Sequence, residues 1–280
     1  MAEDIQRYTA FSDRPDGGNP AGVVLDAAGL SDERMLAIAA EVGYSETAFL
    51  TAGDGDGYDI RYFSPLAEVP FCGHATVATA VALAAREGEG DVVFRTRSGP
   101  VPVRTARGAD GHVSATLTSV PPRVTGVEPA DLEEALAALG WARADLDREL
   151  PPRVAFAGAH HLVIAAATRG RLAALEYDYD RLGALMGARD WTTVQLVWRE
   201  QPDRFHSRNP FPPGGVVEDP ATGAAAAAFG AYLRELGAVA PPASVTILQG
   251  EDMGRPGRLR VDIPADRPGI DVSGVAVPIP

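Results

Sequence analysis

Two short stretches carry the residues best suited to chemistry. PFCGHAT, residues 70–76, sets a thiol, Cys72, and an imidazole, His74, on either side of Gly73. EDPATGAA, residues 218–225, sets a carboxylate, Asp219, just ahead of Thr222, Gly223 and Ala224. Each stretch runs into a small-residue, apolar segment with the look of a helix. A helix start leaves backbone N–H groups unpaired and carries the positive end of the helix dipole, so it attracts carboxylates and oxyanions. Glycine there lets a ligand approach the backbone closely. A thiol, an imidazole and a carboxylate beside two such helix ends suit proton transfer next to a substrate carboxylate, because the helix ends stabilise developing enolate charge. Each residue also has a structural reading: Cys72 as a buried thiol, His74 as a helix cap, and Asp219 before Pro220 as a turn residue.

Glu46 is a third candidate. It heads a strand-like run in YSETAFL, and it reads either as a solvated strand-end charge or as a general base; both readings stand. Glu68 and Glu218, beside the two stretches, read as turn or supporting residues. Arg61 and Arg208 lie near them in sequence and are candidates for drawing an anionic substrate to a chain whose net charge is −13. His160 and His161 look like a metal pair, but adjacent strand residues face opposite sides, so strand packing is the expectation.

The elements that must position these residues alternate. IQRYTAF and AGVVL read as strands, and Ser31 caps a helix that Gly43 ends. ETAFLTA and YDIRYFS read as two strands joined by a GDGDG hairpin turn. A helix over residues 74–86 has no charge before Arg86; a helix apolar all round is buried. Three strands follow, DVVFRT, VPVRTAR and HVSATLTS. The order then repeats: a helix opened by Pro129 and closed by Gly140, strands RVAFA and HLVIAA, a helical stretch around 171–186, strands TVQLVW and RFHS, and a Pro- and Gly-rich loop. That loop leads into a second apolar helix over 223–236, and SVTILQ, RLRVDI and GIDVSGVAVPI close the chain as strands. Gly73 and Gly223 lie 150 residues apart, about half of the 280 residues. The pattern implies two similar halves, each a curved sheet around one central helix.

Composition narrows the chemistry. All 25 basic residues are arginine, so no lysine exists for a Schiff base or a P-loop. The single cysteine excludes disulfides and cysteine-rich zinc sites within one chain. A pI near 4.8 argues against nucleic acid or an anionic membrane as partner. The acidic, alternating start is no signal peptide. The longest apolar stretch, GAAAAAFGAYL, is 11 residues, too short to span a bilayer. A cytoplasmic protein is expected.

GNPAGVVL, SETAFL, IRYFSPLAEVPFCGHAT, EDPATGAA and QGEDMGRPGRL occur in that order. Together they resemble the phenazine-biosynthesis PhzF family, and the likeness covers essentially the whole chain. The resemblance implies an α+β, diaminopimelate-epimerase-like fold of two pseudo-symmetric domains, each a barrel-like sheet around a central helix. These would span 1–120 together with the last strand, 270–280, and 121–269, with the active site in the cleft between them. It implies a cofactor-independent isomerase, without a metal, acting on a small carboxylate as a homodimer. By the same resemblance Glu46 is the general acid/base, and His74 and Asp219 are the other catalytic residues. Cys72, Gly73, Thr222, Gly223 and Ala224 would bind substrate. One departure stands out: the family's TGSA is TGAA here, so Ala224 offers a backbone N–H and no hydroxyl. Two alternatives accompany this reading: a two-base epimerase or racemase of an amino or hydroxy acid using Cys72 with Asp219 or Glu46, and a non-catalytic ligand-binding protein on the same scaffold.

Overall fold

The computed structural model describes residues 3–53 and 57–280, so the centre of the GDGDG turn lies outside the described residues. The chain divides into two compact units, Met1–Thr118 with Ser273–Pro280, and Ser119–Val272.

In the first unit the order is β1 (Gln6–Ala10), β2 (Asn19–Val24), α1 (Asp32–Val42), β3 (Thr47–Ala52), β4 (Tyr58–Phe63), β5 (Glu68–Val69), α2 (Gly73–Glu87), β6 (Asp91–Thr96), β7 (Gly99–Arg107) and β8 (Val113–Thr118). The second unit continues with β9 (Arg123–Gly126), α3 (Pro129–Leu139), β10 (Arg153–Phe156), β11 (His160–Ala165), α4 (Arg169–Ala173), α5 (Tyr179–Arg189), β12 (Trp191–Gln201), β13 (Arg204–Arg208), β14 (Pro210–Phe211), β15 (Val216–Glu218), α6 (Gly223–Glu235), β16 (Ala243–Gln249) and β17 (Gly257–Ile263). The last strand, β18 (Asp271–Pro278), returns to the first unit.

In the first unit the strand order β1-β2-β3-β4-β6-β7-β8-β18 closes on itself, because β18 also pairs with β1. This ring of eight strands has no free edge. α2 touches β1, β2, β3, β7 and β8, so it runs through the ring. Its residues from His74 to Ala84 are all buried, as a helix without a polar face requires. α1 packs outside: Met35, Ile38 and Val42 meet Val24, Phe49 and Phe63. Ser31 accepts the Arg34 N–H at the start of α1, and Gly43 ends it at φ 73°, a conformation that disfavours a side chain.

The second unit repeats the plan. From β1 to β7 the pairings run antiparallel, parallel, antiparallel, parallel, antiparallel. From β10 through β11, β12, β13 and β16 to β17 they run in the same sequence. α6 touches both β9 and β17, the two ends of this unit's sheet, together with β10 to β12; only a sheet curled around the helix permits that. Gly230 shows how close the wall is. A Cβ there would meet Val261 Cγ1 at 2.7 Å and Ile270 Cγ2 at 2.9 Å, so the middle of α6 needs glycine despite its helix cost. On the outer face, α3 and α5 bury Leu132, Leu136, Leu182 and Met186 against Leu162 and Ile164 of β11 and Val194 and Leu196 of β12.

One departure from the sequence expectation concerns residues 171–186. They form two helices rather than one stretch. Thr168 caps α4 by accepting the Arg171 N–H, and Asp178 caps α5 by accepting the Arg181 N–H. A good N-cap inside an apolar pattern starts a new helix. Among the described residues, no helix is long and apolar enough to cross a membrane.

Candidate active site

The first unit gathers four chemistry-bearing side chains. Gly43 turns the chain out of α1, and residues 44–46 lead into β3, so Ser45 and Glu46 stand at the head of that strand. Cys72 is the N-cap of α2, but its side chain makes no cap bond. The thiol is turned instead to His74 Nδ1 at 3.3 Å and to Glu46 Oε2 at 3.5 Å. His74 Nε2 lies 3.5 Å from the same Glu46 oxygen and 3.4 Å from Ser45 Oγ. Cys72 and His74 are buried, while Glu46 keeps partial access to solvent. A hydrogen-bonded base underneath holds the helix start in place: Thr76 Oγ1 donates to the Cys72 carbonyl at 2.6 Å and meets the Tyr62 hydroxyl at 2.6 Å. Burial pushes the Tyr62 phenol well above its ordinary value, so it stays neutral. A Cβ at Gly73 would meet only Phe71, at 3.9 Å, so the backbone there is open to approach.

The second unit sets its polar groups at the start of α6. Thr222, the N-cap, gives its hydroxyl to Asp219 Oδ2 at 2.6 Å rather than to its own helix. Gln249, at the end of β16, ties this turn together. Its Nε2 donates to the Asp219 carbonyl at 2.7 Å and to Thr222 Oγ1 at 3.0 Å, and its Oε1 accepts the Thr222 N–H at 3.2 Å. The Asp219 N–H donates to the Asn209 carbonyl at 3.0 Å. Asp219 is buried, and Ala224 is half-buried on the first turn.

Both arginines proposed from the sequence as anion-drawing cations are committed elsewhere. Arg61 forks onto Glu68 at 2.9 and 2.7 Å and also reaches Asp32 at 2.7 Å. Arg208 forks onto Glu218, through Nε at 2.9 Å and through Nη2, and holds the Ala173 carbonyl at 2.7 Å. Two bidentate pairs therefore brace the turns that precede α2 and α6. Glu68 and Glu218 are supporting residues, as expected. The sequence held a signal for this duplication: EVPFCGHA and EDPATGAA share Glu, Pro and Gly at the same offsets. Ser45 and Gln249 were missed; each lies in a quoted motif, but nothing in the pattern distinguishes an ordering side chain from a surface one. His161 is a packed strand histidine: Nδ1 lies 2.8 Å from Thr193 Oγ1, and burial pushes its pKa down to about 3.

Each unit by itself, a strand wall around a buried helix with reactive groups at the helix start, is the building block of the two-domain, α+β, diaminopimelate-epimerase-like isomerases. The comparisons with known proteins carry this to the family. The profile described as phenazine biosynthesis-like protein, PhzC-PhzF, matches residues 8–279, and the chain belongs to that family. An uncharacterized isomerase of Pseudomonas aeruginosa is 36% identical, over 99% of this chain and 96% of its own. The trans-2,3-dihydro-3-hydroxyanthranilate isomerase of the same organism is 34% identical, over 98% and 95%. The crystal structure of the Bacillus anthracis PhzF-family phenazine biosynthesis protein superposes with a TM-score of 0.89, at 26% identity, over 100% of this chain and 98% of that one. The chain is thus an enzyme of the isomerase class.

Proposed function

We propose that the chain is a cofactor-independent isomerase that moves a proton within a small carboxylate-bearing substrate, with Glu46 as the group that removes and returns it. The observation that carries this is the packing of the Glu46 carboxylate against Cys72 and His74 at the start of α2. The ionised carboxylate takes a proton from a substrate carbon. The electron pair left behind spreads onto the substrate's conjugated carboxylate as an enolate. The unpaired N–H groups at the start of α2 and the thiol and imidazole beside Glu46 oppose that charge. The proton, free to exchange with solvent while Glu46 holds it, is then delivered to another carbon, which completes the isomerisation without any change in oxidation state. Asp219, Thr222 and the backbone at Gly223 and Ala224 are proposed as the second unit's substrate-binding groups. A homodimer in the cytoplasm is part of this reading.

The experiment is proton exchange in heavy water followed by NMR. Trans-2,3-dihydro-3-hydroxyanthranilate, which the Pseudomonas aeruginosa relative's name specifies, is the first compound in a panel of unsaturated carboxylates. Wild type incorporates deuterium into at least one of them, and Glu46→Gln slows that by on the order of a hundredfold or more. A Gln variant that exchanges at the wild-type rate removes Glu46 from the role. A second reading, an epimerase using Cys72, draws on the thiol lying 3.3 Å from an imidazole. It requires exchange at a stereocentre that Cys72→Ser abolishes.

A further inference from the structure

We infer that Gln249 is a positioning residue: it holds the Thr222 hydroxyl off its own helix and against Asp219, and so leaves the first N–H groups of α6 open to a substrate carboxylate. This rests on the reading of Asp219, Thr222 and the start of α6 as substrate-binding groups. Gln249 belongs to QGEDMGRPGRL, a stretch to which the sequence assigns no role. It ends β16 and is 1% exposed. Its amide serves a single turn. Nε2 gives one hydrogen to the Asp219 carbonyl at 2.7 Å and one to Thr222 Oγ1 at 3.0 Å, while Oε1 accepts the Thr222 N–H at 3.2 Å. These partners fix the direction of the amide, because the reverse would set its oxygen against the Asp219 carbonyl and its NH2 against the Thr222 N–H. The next residue fixes the reach. A Cβ at Gly250 would meet the Pro220 carbonyl oxygen at 2.7 Å, and its φ is 81°, so β16 ends hard against the turn at a position that needs glycine.

Other helix starts of this chain show what Gln249 prevents. Ser31, Thr168 and Asp178 are N-caps, and their side chains accept the N–H of the residue three positions on, Arg34, Arg171 and Arg181. The same bond from Thr222 would run to the Ala225 N–H. Thr222 makes no such bond. Its oxygen accepts from Gln249, and its hydrogen goes to Asp219 Oδ2 at 2.6 Å. Gly223, Ala224 and Ala225 therefore keep N–H groups without an acceptor among the described residues, although a threonine stands at the capping position. An unmade cap costs helix stability, and the cost is offset when those N–H groups hold an anion. Without Gln249, the Thr222 hydroxyl is released to turn onto the Ala225 N–H, which takes one of the three donors away from the substrate.

The test uses the full chain with Gln249→Met, which matches the length of the side chain and removes its amide. In the exchange assay KM should rise roughly ten- to a hundredfold, the worth of one hydrogen bond to a charged group. The kcat should stay close to wild type, because Glu46, Cys72 and His74 belong to the other unit. Gln249→Asn keeps a buried amide but is one methylene short, and it should raise KM in the same direction if the methionine variant fails to fold. A merely structural role would lower the melting temperature and leave KM alone; KM unchanged in both variants overturns the inference, whatever happens to kcat. Thr222→Val keeps the shape and removes the hydroxyl. If Gln249 acts through that hydroxyl, adding Gln249→Met to Thr222→Val should raise KM no further than Thr222→Val alone, whereas two effects that simply add overturn it. The crystal structure of Gln249→Met should show Thr222 Oγ1 within hydrogen-bonding reach of the Ala225 N–H, and a hydroxyl still held on Asp219 overturns the restraint. If wild type shows no exchange with any carboxylate, the isomerase reading fails, while the position of Thr222 in that crystal still decides the role of Gln249.

Discussion

Arg208→Ala should cost the protein far more stability than Arg61→Ala, although both remove a bidentate fork from the same place in the duplicated plan. The difference lies in what each substitution leaves behind. The side chains of Arg208 and Glu218 are 11% and 6% exposed, against 27% and 12% for Arg61 and Glu68. Without Arg208, the Glu218 carboxylate is left buried with no other cation paired to it among the described residues. The Ala173 carbonyl also loses its donor. Breaking one side of a buried pair costs about 3–5 kcal/mol, most of it the desolvation of the abandoned charge. Glu68, by contrast, keeps Arg97 at 2.5 Å, and its surroundings are wetter. That loss belongs with partly exposed pairs, about 1 kcal/mol or less.

At about 2–4 °C per kcal/mol for a chain of this size, Arg208→Ala should lower the melting temperature by on the order of 10 °C, and Arg61→Ala by only a few degrees. Urea unfolding with thermal circular dichroism measures both. Replacing the whole pair, Arg208→Met with Glu218→Leu, should restore most of the stability, because no charge is then stranded. Equal losses for the two single variants, or a double variant no better than Arg208→Ala, would refute the reasoning.

Gly73→Ala should fold normally, since its Cβ meets only Phe71 at 3.9 Å and its φ is not left-handed; raised KM in the exchange assay at unchanged melting temperature is the expected split, and unchanged KM would remove the Gly73 backbone from substrate contact. For His161 the sign follows from its pKa, about 3 in the fold against 6.5 when free. The unfolded chain binds the extra proton between those values, so this contribution is full above pH 6.5 and declines as pH falls, by about 1.4 kcal/mol per unit. Roughly 2 kcal/mol is therefore lost between pH 6.5 and 5. His161→Asn should flatten that part of the stability profile; an unchanged slope would contradict it.

The parts of the fold legible in the sequence are those whose signal is local. α2 and α6 declare themselves because a long alanine-rich run without charge has only a buried solution, and both lie within one residue of the expected bounds. Ser31, Gly43 and Gly140 mark helix ends because capping is decided by one residue. β9 was missed because RVTG is a four-residue segment with a single apolar side chain; its pairing with β10 makes it a strand. The break between α4 and α5 turns on Asp178, which a periodicity reading passes over. In the site, the quoted motifs named Glu46, Cys72 and His74, and the structure brings these within hydrogen-bonding reach of one another. The arginines were legible as residues near the motifs but not as partners. Nearness in sequence to a charged loop does not say whether a guanidinium is free or forked.

The duplication also bears on the kind of proton transfer available. Aligned on the shared Glu, Pro and Gly, Cys72 corresponds to Thr222, His74 to Ala224, and Val69 to Asp219. Glu46 stands three residues before Phe49, which pairs with Arg61 across the β3–β4 ladder; in the second unit Thr193 stands three residues before Leu196, which pairs with Arg208 across the matching β12–β13 ladder. The second unit thus carries Thr193, Thr222 and Ala224 where the first carries a carboxylate, a thiol and an imidazole. Its one carboxylate at the helix start, Asp219, occupies a different position in the turn and already accepts the Thr222 hydroxyl. A racemase that uses two equivalent bases needs two matching sets of proton-handling groups, and here the two units do not match. An isomerisation that lifts a proton from one carbon and returns it to another needs one acceptor that keeps the proton in between. The concentration of proton-handling groups around Glu46, with hydrogen-bonding groups left at the second helix start, suits that second demand.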